Sequence, residues 1–295
     1  MIGFPVSPVS LGTSFLGNPA APDGSPAPES AALAHALVTG PSLMIDTSNN
    51  YADGRSETAL GRVELPPGKT IVTKADADPS TGRFDRDRVW RSFEESTTRL
   101  GVTRLPLLHL HDPYTITVEE AFAPGGAVQG MRELKEQGLV DAIGIAAGEI
   151  ALMTRYVTSG AFDVLLTHNR YTLVDRRAEP LIAEAVARGM GVFNAAPFGG
   201  GLLAGRDTRY AYREAPAALL GWTERARAVC AEFGITLPTA ALHFSLRNAD
   251  IDSTIVGVNR VSRIADLDTM RTTDIPDALW PALDALGTPP STIED

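Results

Sequence analysis

The order of apolar segments in this chain predicts an α/β protein built as one (β/α)8 barrel, the TIM-barrel architecture, in a single domain covering residues 1–295. Three observations carry that expectation. Eight short apolar runs recur near 7–12, 42–46, 70–74, 105–111, 141–146, 163–168, 191–196 and 253–257. Amphipathic stretches of helical period separate them, and several of these close on a glycine. No linker, low-complexity segment or break in composition divides the 295 residues, whereas a doubly wound sheet of this length would use fewer strands or a second domain.

Taken in order, each run is short, apolar and bounded by turn residues, as a strand buried on both faces must be. The Pro- and Ala-rich stretch Asn18–Pro28 reads as a surface loop leading into the first helix. Later helices are expected at Arg86–Leu100, closed by Gly101, at Ala127–Gln137, closed by Gly138, at Arg177–Arg188, followed by Gly189, and at Ala217–Phe233. The last run ends at Gly257, and a helix begins near Val261.

Composition bounds the function. A net charge of −10 argues against a nucleic-acid partner or an anionic membrane surface, both of which want basic patches. The one cysteine, Cys230, excludes an intramolecular disulfide and falls in the apolar stripe of a helix, as a buried structural thiol does. The opening Met1-Ile2-Gly3-Phe4-Pro5 has neither a basic n-region nor an apolar h-region, and no stretch approaches the ~18 apolar residues of a membrane span. A cytoplasmic protein is expected.

Three runs stop at ionisable groups: Ser42-Leu43-Met44-Ile45-Asp46, Thr70-Ile71-Val72-Thr73-Lys74, and Leu105 to His111, with Tyr51 five positions past Asp46. In a barrel these are the C-terminal strand ends, where active sites are built. A charge left unpaired in a dry core is too costly to keep, so a buried strand that ends in one aims it at a site. A phenol with an ordinary pKa of ~10 needs a neighbouring cation to exchange protons near neutrality. Lys74 supplies that cation, Asp46 holds it, and His111 is placed to hydrogen-bond a substrate oxygen. The set suits proton transfer at an oxygen whose carbon gains or loses a hydride. Singly, Asp46 reads as an Asx cap, Tyr51 as loop packing and Lys74 as a strand leaving the core; their joint arrival at strand ends favours a site.

His109 shares a strand face with His111 but lies deeper, and reads as a hydrogen-bonded histidine of the barrel interior. His35 and His243 fall in helices, as do Trp90, Trp222 and Trp280. No metal site is expected, since there is no histidine pair at helical ligand spacing and no cysteine cluster. Gly199-Gly200-Gly201 reads equally as a flexible loop and as a loop that folds over a cofactor. Thr254–Arg260 is the better phosphate candidate, because a strand runs into Gly257 and a helix N-terminus follows, with Arg260 and Arg263 adding charge.

Asp46-Thr47-Ser48-Asn49-Asn50-Tyr51 with Ser56-Glu57 and Leu60-Gly61, then Thr73-Lys74, Glu95-Ser96 with Arg99-Leu100-Gly101, and Leu110-His111-Asp112, resemble the aldo-keto reductase superfamily along nearly the whole chain. The resemblance implies Tyr51 as proton donor or acceptor, Lys74 and Asp46 as its tuning pair, and His111 as the residue that orients a carbonyl. It further implies NADP or NAD bound in extended form without a GxGxxG turn. Gly12, Thr13, Asn169, Phe198, Gly257, Val258, Asn259, Arg260 and Arg263 are the candidate cofactor residues. Arginines near a 2′-phosphate favour NADP. Asn169–Asp175, His111-Asp112-Pro113 and Gly200-Gly201-Leu202-Leu203 resemble the branch of sugar 1-dehydrogenases, which oxidise D-threo-aldoses, L-fucose or L-galactose to lactones.

Some positions depart from the wider pattern. Ala146-Ala147 stand where many members carry Ser-Asn, and Ala195-Ala196 where many carry a tyrosine that stacks on nicotinamide; Asn169 and Phe198 are the expected replacements. Asp266 and Leu267 match the family's Glu-Asn pair only in part. The expected substrate is an aldose oxidised at C1. A broad reductase of aldehydes and ketones is the alternative, followed by a nucleotide-binding regulator, against which the full tetrad weighs.

Overall fold

The computed structural model describes residues 3–205 and 207–290. Eight parallel strands close into a barrel: β1 (Val9–Gly12), β2 (Met44–Asp46), β3 (Thr70–Ala75), β4 (Leu105–His111), β5 (Val140–Ala147), β6 (Val164–His168), β7 (Gly191–Ala195) and β10 (Ser253–Gly257). Closure runs through β1, which pairs with β10 on one side (Gly12 opposite Gly257) and with β2 on the other (Gly12 opposite Asp46). The remaining strands, β8 (Arg209–Tyr210) and β9 (Arg213–Glu214), form a small antiparallel hairpin outside the barrel.

The strand ends agree with the apolar runs to within two residues. The helices follow suit: α3 (Arg86–Leu100), α5 (Ala127–Glu136), α7 (Glu179–Ala187) and α8 (Ala217–Glu232). Their ends have local causes. The Asp85 side chain accepts the Arg88 amide at the start of α3, and Gly101 closes that helix at φ 71°, where a Cβ would be strained. Around the ring lie α1 (Pro28–Thr39), α2 (Arg55–Gly61), α4 (Val118–Phe122), α6 (Ile150–Thr158), α9 (Leu237–Leu246), α10 (Ser262–Thr272) and α11 (Leu279–Asp284). No single helix among the described residues is long and apolar enough to cross a membrane.

Alternation along each strand divides the core in two. Outward-facing residues such as Leu11, Ile45, Leu108, Ile143 and Leu165 pack beneath the helices, while Met44, Val72, Leu107, Leu166, Phe193 and Ile255 fill the barrel itself. The inward parity that starts with Met44, Val72 and Leu107 therefore carries Asp46, Lys74 and His111 to the C-terminal mouth. The glycine run is no open loop: Gly199–Ala204 form a 3-10 turn, with Gly200 and Gly201 at φ 77° and 131°. The hairpin that follows is pinned by buried Tyr210, whose hydroxyl donates to the Asn169 carbonyl at 2.9 Å.

Candidate active site

Lys74 is the centre of the mouth. Its Nζ donates to Asp46 Oδ2 at 2.7 Å, to the Thr47 carbonyl at 2.6 Å and to Tyr51 Oη at 3.4 Å. The Lys74 and Asp46 side chains are only 2% and 5% exposed, so the pair is held out of water. Burial alone would push the ammonium down, but the Asp46 carboxylate overcomes it and Lys74 stays charged, above its ordinary value. Tyr51 reaches the site from the turn after β2, where Ala52 and Asp53 adopt left-handed backbone. Burial pushes its phenol up to about 12 against the opposing pull of Lys74, so Tyr51 is a neutral proton donor near pH 7.

His111 lies edge-on to Tyr51, with ring centroids 6.0 Å apart. Its surroundings include three residues that the reading of the sequence missed. His111 Nδ1 is 2.6 Å from Asp76 Oδ1, its Nε2 is 3.7 Å from Asp112 Oδ2, and Asp112 Oδ1 is 3.4 Å from His168 Nε2. Despite burial, these carboxylates raise the imidazole above its ordinary pKa, with Asp76 the main cause. Signals for all three were present: Asp76 is two residues past Lys74 and so shares its inward face, Asp112 follows His111 directly, and His168 ends the sixth run as His111 ends the fourth.

His109 departs from expectation. It is interior and fully buried, yet neither ring nitrogen has a hydrogen-bond partner among the described residues. Burial, with the charge of Lys74 above it, holds it well below the usual histidine range and therefore neutral. The ring fits because the facing residue is Gly144, where a Cβ would sit 2.2 Å from Nδ1.

The expected cofactor residues are only partly brought together. Gly12 and Gly257 are neighbours at the β1–β10 seam, and Phe198 lies beneath the Arg263 guanidinium, 5.0 Å from ring centroid to Cζ. Thr13 is committed elsewhere: its hydroxyl donates to the Asp46 carbonyl at 3.1 Å and accepts from Ser56 Oγ at 2.8 Å. Val258 is buried in the outer core, and its amide donates to the Gly12 carbonyl at 3.0 Å. Asn259 is exposed, as is Arg260, which pairs with Asp266 at 3.2 Å.

A nicotinamide fits these residues. Around the rest of the mouth, Gly12 beside Asp46, Ala146 beside His111, Gly257 and Ala195 carry little or no side chain, with His168 on the strand between the two alanines, and a Cβ on Gly12 would come within 3.3 Å of Ile255. Beside them is Asn169, 1% exposed and held at φ 58°, whose Oδ1 is buried without a partner among the described residues. An orphaned buried acceptor costs about 1–3 kcal/mol, which the N–H of a carboxamide would relieve.

The sequence pattern of the Aldo/keto reductase family matches residues 8–287. The chain is 30% identical over 270 residues to D-threo-aldose 1-dehydrogenase of a Pseudomonas species, covering 81% of this chain and 82% of that one. It is 28% identical to pyridoxal 4-dehydrogenase of Microbacterium luteolum, covering 97% and 95% of the two chains, and 29% identical to L-galactose dehydrogenase of Arabidopsis thaliana, covering 90% and 84%. Among solved structures, a glycerol dehydrogenase from Gluconobacter oxydans superposes with a TM-score of 0.77 at 19% identity, covering 99% of this chain and 95% of that one, a likeness of fold.

Proposed function

This chain belongs to the aldo/keto reductase family and is an oxidoreductase, and from that premise we propose that it moves a hydride between NADP or NAD and the C1 carbon of an aldose hemiacetal. The observation that carries the reading is the buried Lys74–Asp46 pair with the Tyr51 phenol 3.4 Å from the ammonium and His111 alongside. The nicotinamide, when bound, supplies the hydride acceptor or donor. Gly12, Gly257, Asn169 and the Phe198–Arg263 stack are the residues proposed to hold the cofactor, and the arginines favour NADP.

In the oxidising direction the phenolate form of Tyr51, a small fraction near pH 7 that Lys74 stabilises, takes the proton of the C1 hydroxyl while the C1 hydrogen leaves as hydride, so that C1–O becomes the carbonyl of a lactone. Lys74 stabilises the phenolate, and Asp46 keeps the ammonium charged and in place. His111 donates to the C1 oxygen and opposes the charge that develops there. In the reducing direction the same phenol returns the proton.

A hemiacetal is favoured over a simple aldehyde because Asp112 and His168 stand beyond the tetrad, giving the mouth more hydrogen-bonding groups than a small aldehyde engages. D-threo-aldoses, L-galactose and pyridoxal share an aldehyde carbon that closes onto a hydroxyl of the same molecule, and this supports a cyclic hemiacetal as the substrate class. Residues 1–295 are taken as one catalytic unit, and the single buried Cys230 supports a reducing, cytoplasmic setting. The test is reduction of NADP and of NAD, followed by absorbance, against L-fucose, L-galactose, D-arabinose and pyridoxal, with simple aldehydes offered in reverse. Turnover in the reducing direction alone would make the enzyme a carbonyl reductase.

A further inference from the structure

We propose that Asp76 is a positioning residue for this reaction: its buried carboxylate fixes the His111 ring with Nδ1 protonated and leaves Nε2 to meet the substrate oxygen as a proton donor. The proposal rests on the hydride-transfer reading for what Nε2 does, but the Asp76–His111 relation stands on geometry alone. Asp76 lies just past the end of β3, where its backbone is clamped by α3. Arg88 Nε donates to its carbonyl at 2.9 Å, and Ser92 Oγ lies 3.3 Å from both its amide and its carbonyl. The carboxylate that this clamp presents accepts from Ser48 Oγ at 2.5 Å and from the Asn50 amide at 3.0 Å through Oδ2, and meets His111 Nδ1 at 2.6 Å through Oδ1.

The proton on Nδ1 follows by elimination. Two polar atoms face Nδ1, Asp76 Oδ1 and Ser48 Oγ, the latter at 3.2 Å. An ionised carboxylate can only accept, and the single hydroxyl proton of Ser48 is already spent on Asp76 Oδ2. Both neighbours are therefore acceptors, and Nδ1 must carry the hydrogen. With Nδ1 protonated, Nε2 is the only ring nitrogen that can turn to a substrate, and Asp112 Oδ2 lies 3.7 Å from it.

The charges around the ring decide whether Nε2 also holds a proton. Asp76 from the end of β3 and Asp112 from His111's own strand favour the imidazolium, whereas Lys74 of β3 opposes it. His109 below is neutral, Tyr51 across the site is an un-ionised phenol, Asp46 is paired with Lys74, and His168 of β6 faces Asp112 on the far side. The carboxylates prevail, and burial works against the imidazolium without removing it. With its pKa raised, His111 stays imidazolium to higher pH than an ordinary histidine, and in that form it presents Nε2–H to a carbonyl or hemiacetal oxygen, where neutral imidazole with its hydrogen on Nδ1 would present a lone pair.

Asp76 also ties the loop of Ser48 and Asn50 to β3, so a merely structural role has to be separated from this one. NMR titration of ring-labelled histidines in the full chain, with H111Q used only to identify the resonance, reads the tautomer and proton affinity without any turnover. The expected result in the wild-type protein is an Nδ1-protonated ring titrating above an ordinary histidine. In D76N it should titrate lower by about one pH unit or more, a tenfold loss of proton affinity. The high-pH limb of kcat/KM for aldehyde reduction should move to lower pH by the same amount, with cofactor affinity unchanged. A wild-type His111 with an ordinary pKa or a bare Nδ1 overturns the proposal even if D76N does not fold. A uniform loss of rate in D76N with an unmoved pH limb overturns it too, leaving Asp76 a structural residue. Absence of turnover with the titration as expected would instead count against the proposed reaction.

Discussion

Lys74 Nζ and Asp46 Oδ2 are 2.7 Å apart, and both side chains are almost wholly withdrawn from water. Removing one partner of such a pair strands the other as a buried charge, at a cost on the order of 3–5 kcal/mol. Asp46→Asn is therefore expected to lower the urea midpoint strongly, and the double variant Asp46→Asn/Lys74→Met to lose less than the two single variants together. Single-variant losses below about 1 kcal/mol, the range of exposed pairs, would mean that water reaches the pair in solution.

Tyr51→Phe keeps the ring that lies under Lys74 and removes only the hydroxyl group. Turnover should fall by about 10²- to 10⁴-fold, the usual worth of a general acid or base, while cofactor affinity, read by fluorescence quenching, stays unchanged. A variant that turns over at the wild-type rate would remove Tyr51 from the mechanism.

The His109–Gly144 contact predicts a packing failure. Gly144→Ala places a methyl group against a buried ring, and overpacking of this kind costs about 1–3 kcal/mol or more. His109→Ala in the same chain should restore part of the loss. Equal stability of Gly144→Ala and the wild type in urea unfolding would contradict the close approach.

His109 also predicts a pH dependence of stability. Its folded pKa lies well below 6.5, so above that value neither state binds a proton and the residue contributes nothing. As the pH falls through ~6.5, the unfolded chain takes up a proton that the folded chain refuses, and stability drops. His109→Leu removes that proton and two unpaired nitrogens, so its urea midpoint should fall less between pH 7.5 and pH 5 than that of the wild type. Parallel pH profiles would show that His109 is hydrated in solution.

Asp112 and His168 bear on substrate choice. Asp112→Asn should raise KM for aldoses by about tenfold, the value of about 1.4 kcal/mol of lost charge-assisted hydrogen bonding. KM for a simple aldehyde should change much less. Equal effects on both substrates would take Asp112 out of sugar recognition.

The barrel was legible because its signal is local and repeated. Eight apolar runs at βα spacing set both the strand count and, through the period of two, which residues face inward. The three ionisable residues at the strand ends, Asp46, Lys74 and His111, were visible for the same reason, and Tyr51 by its place in the loop just after the first of them. Asp76 escaped because it lies beyond the apolar run, where an aspartate looks like any loop residue until β3 and β4 pair and bring it to His111. His109 was placed correctly but given partners, because the pattern of one strand cannot reveal that the residue facing it is Gly144. The β8–β9 hairpin was missed because two-residue strands leave no periodicity, and its turn uses Ala211 and Tyr212 in left-handed backbone rather than Asn-Gly.

The measurement that tests the central claim most directly is the fate of the C1 hydrogen. Incubation with C1-deuterated L-fucose and oxidised cofactor, analysed by mass spectrometry, should yield a reduced nicotinamide that carries the deuterium together with the unlabelled lactone. No deuterium transfer from this or any other C1-labelled hemiacetal of the panel, in the presence of bound cofactor, would contradict hydride transfer from C1 at this site.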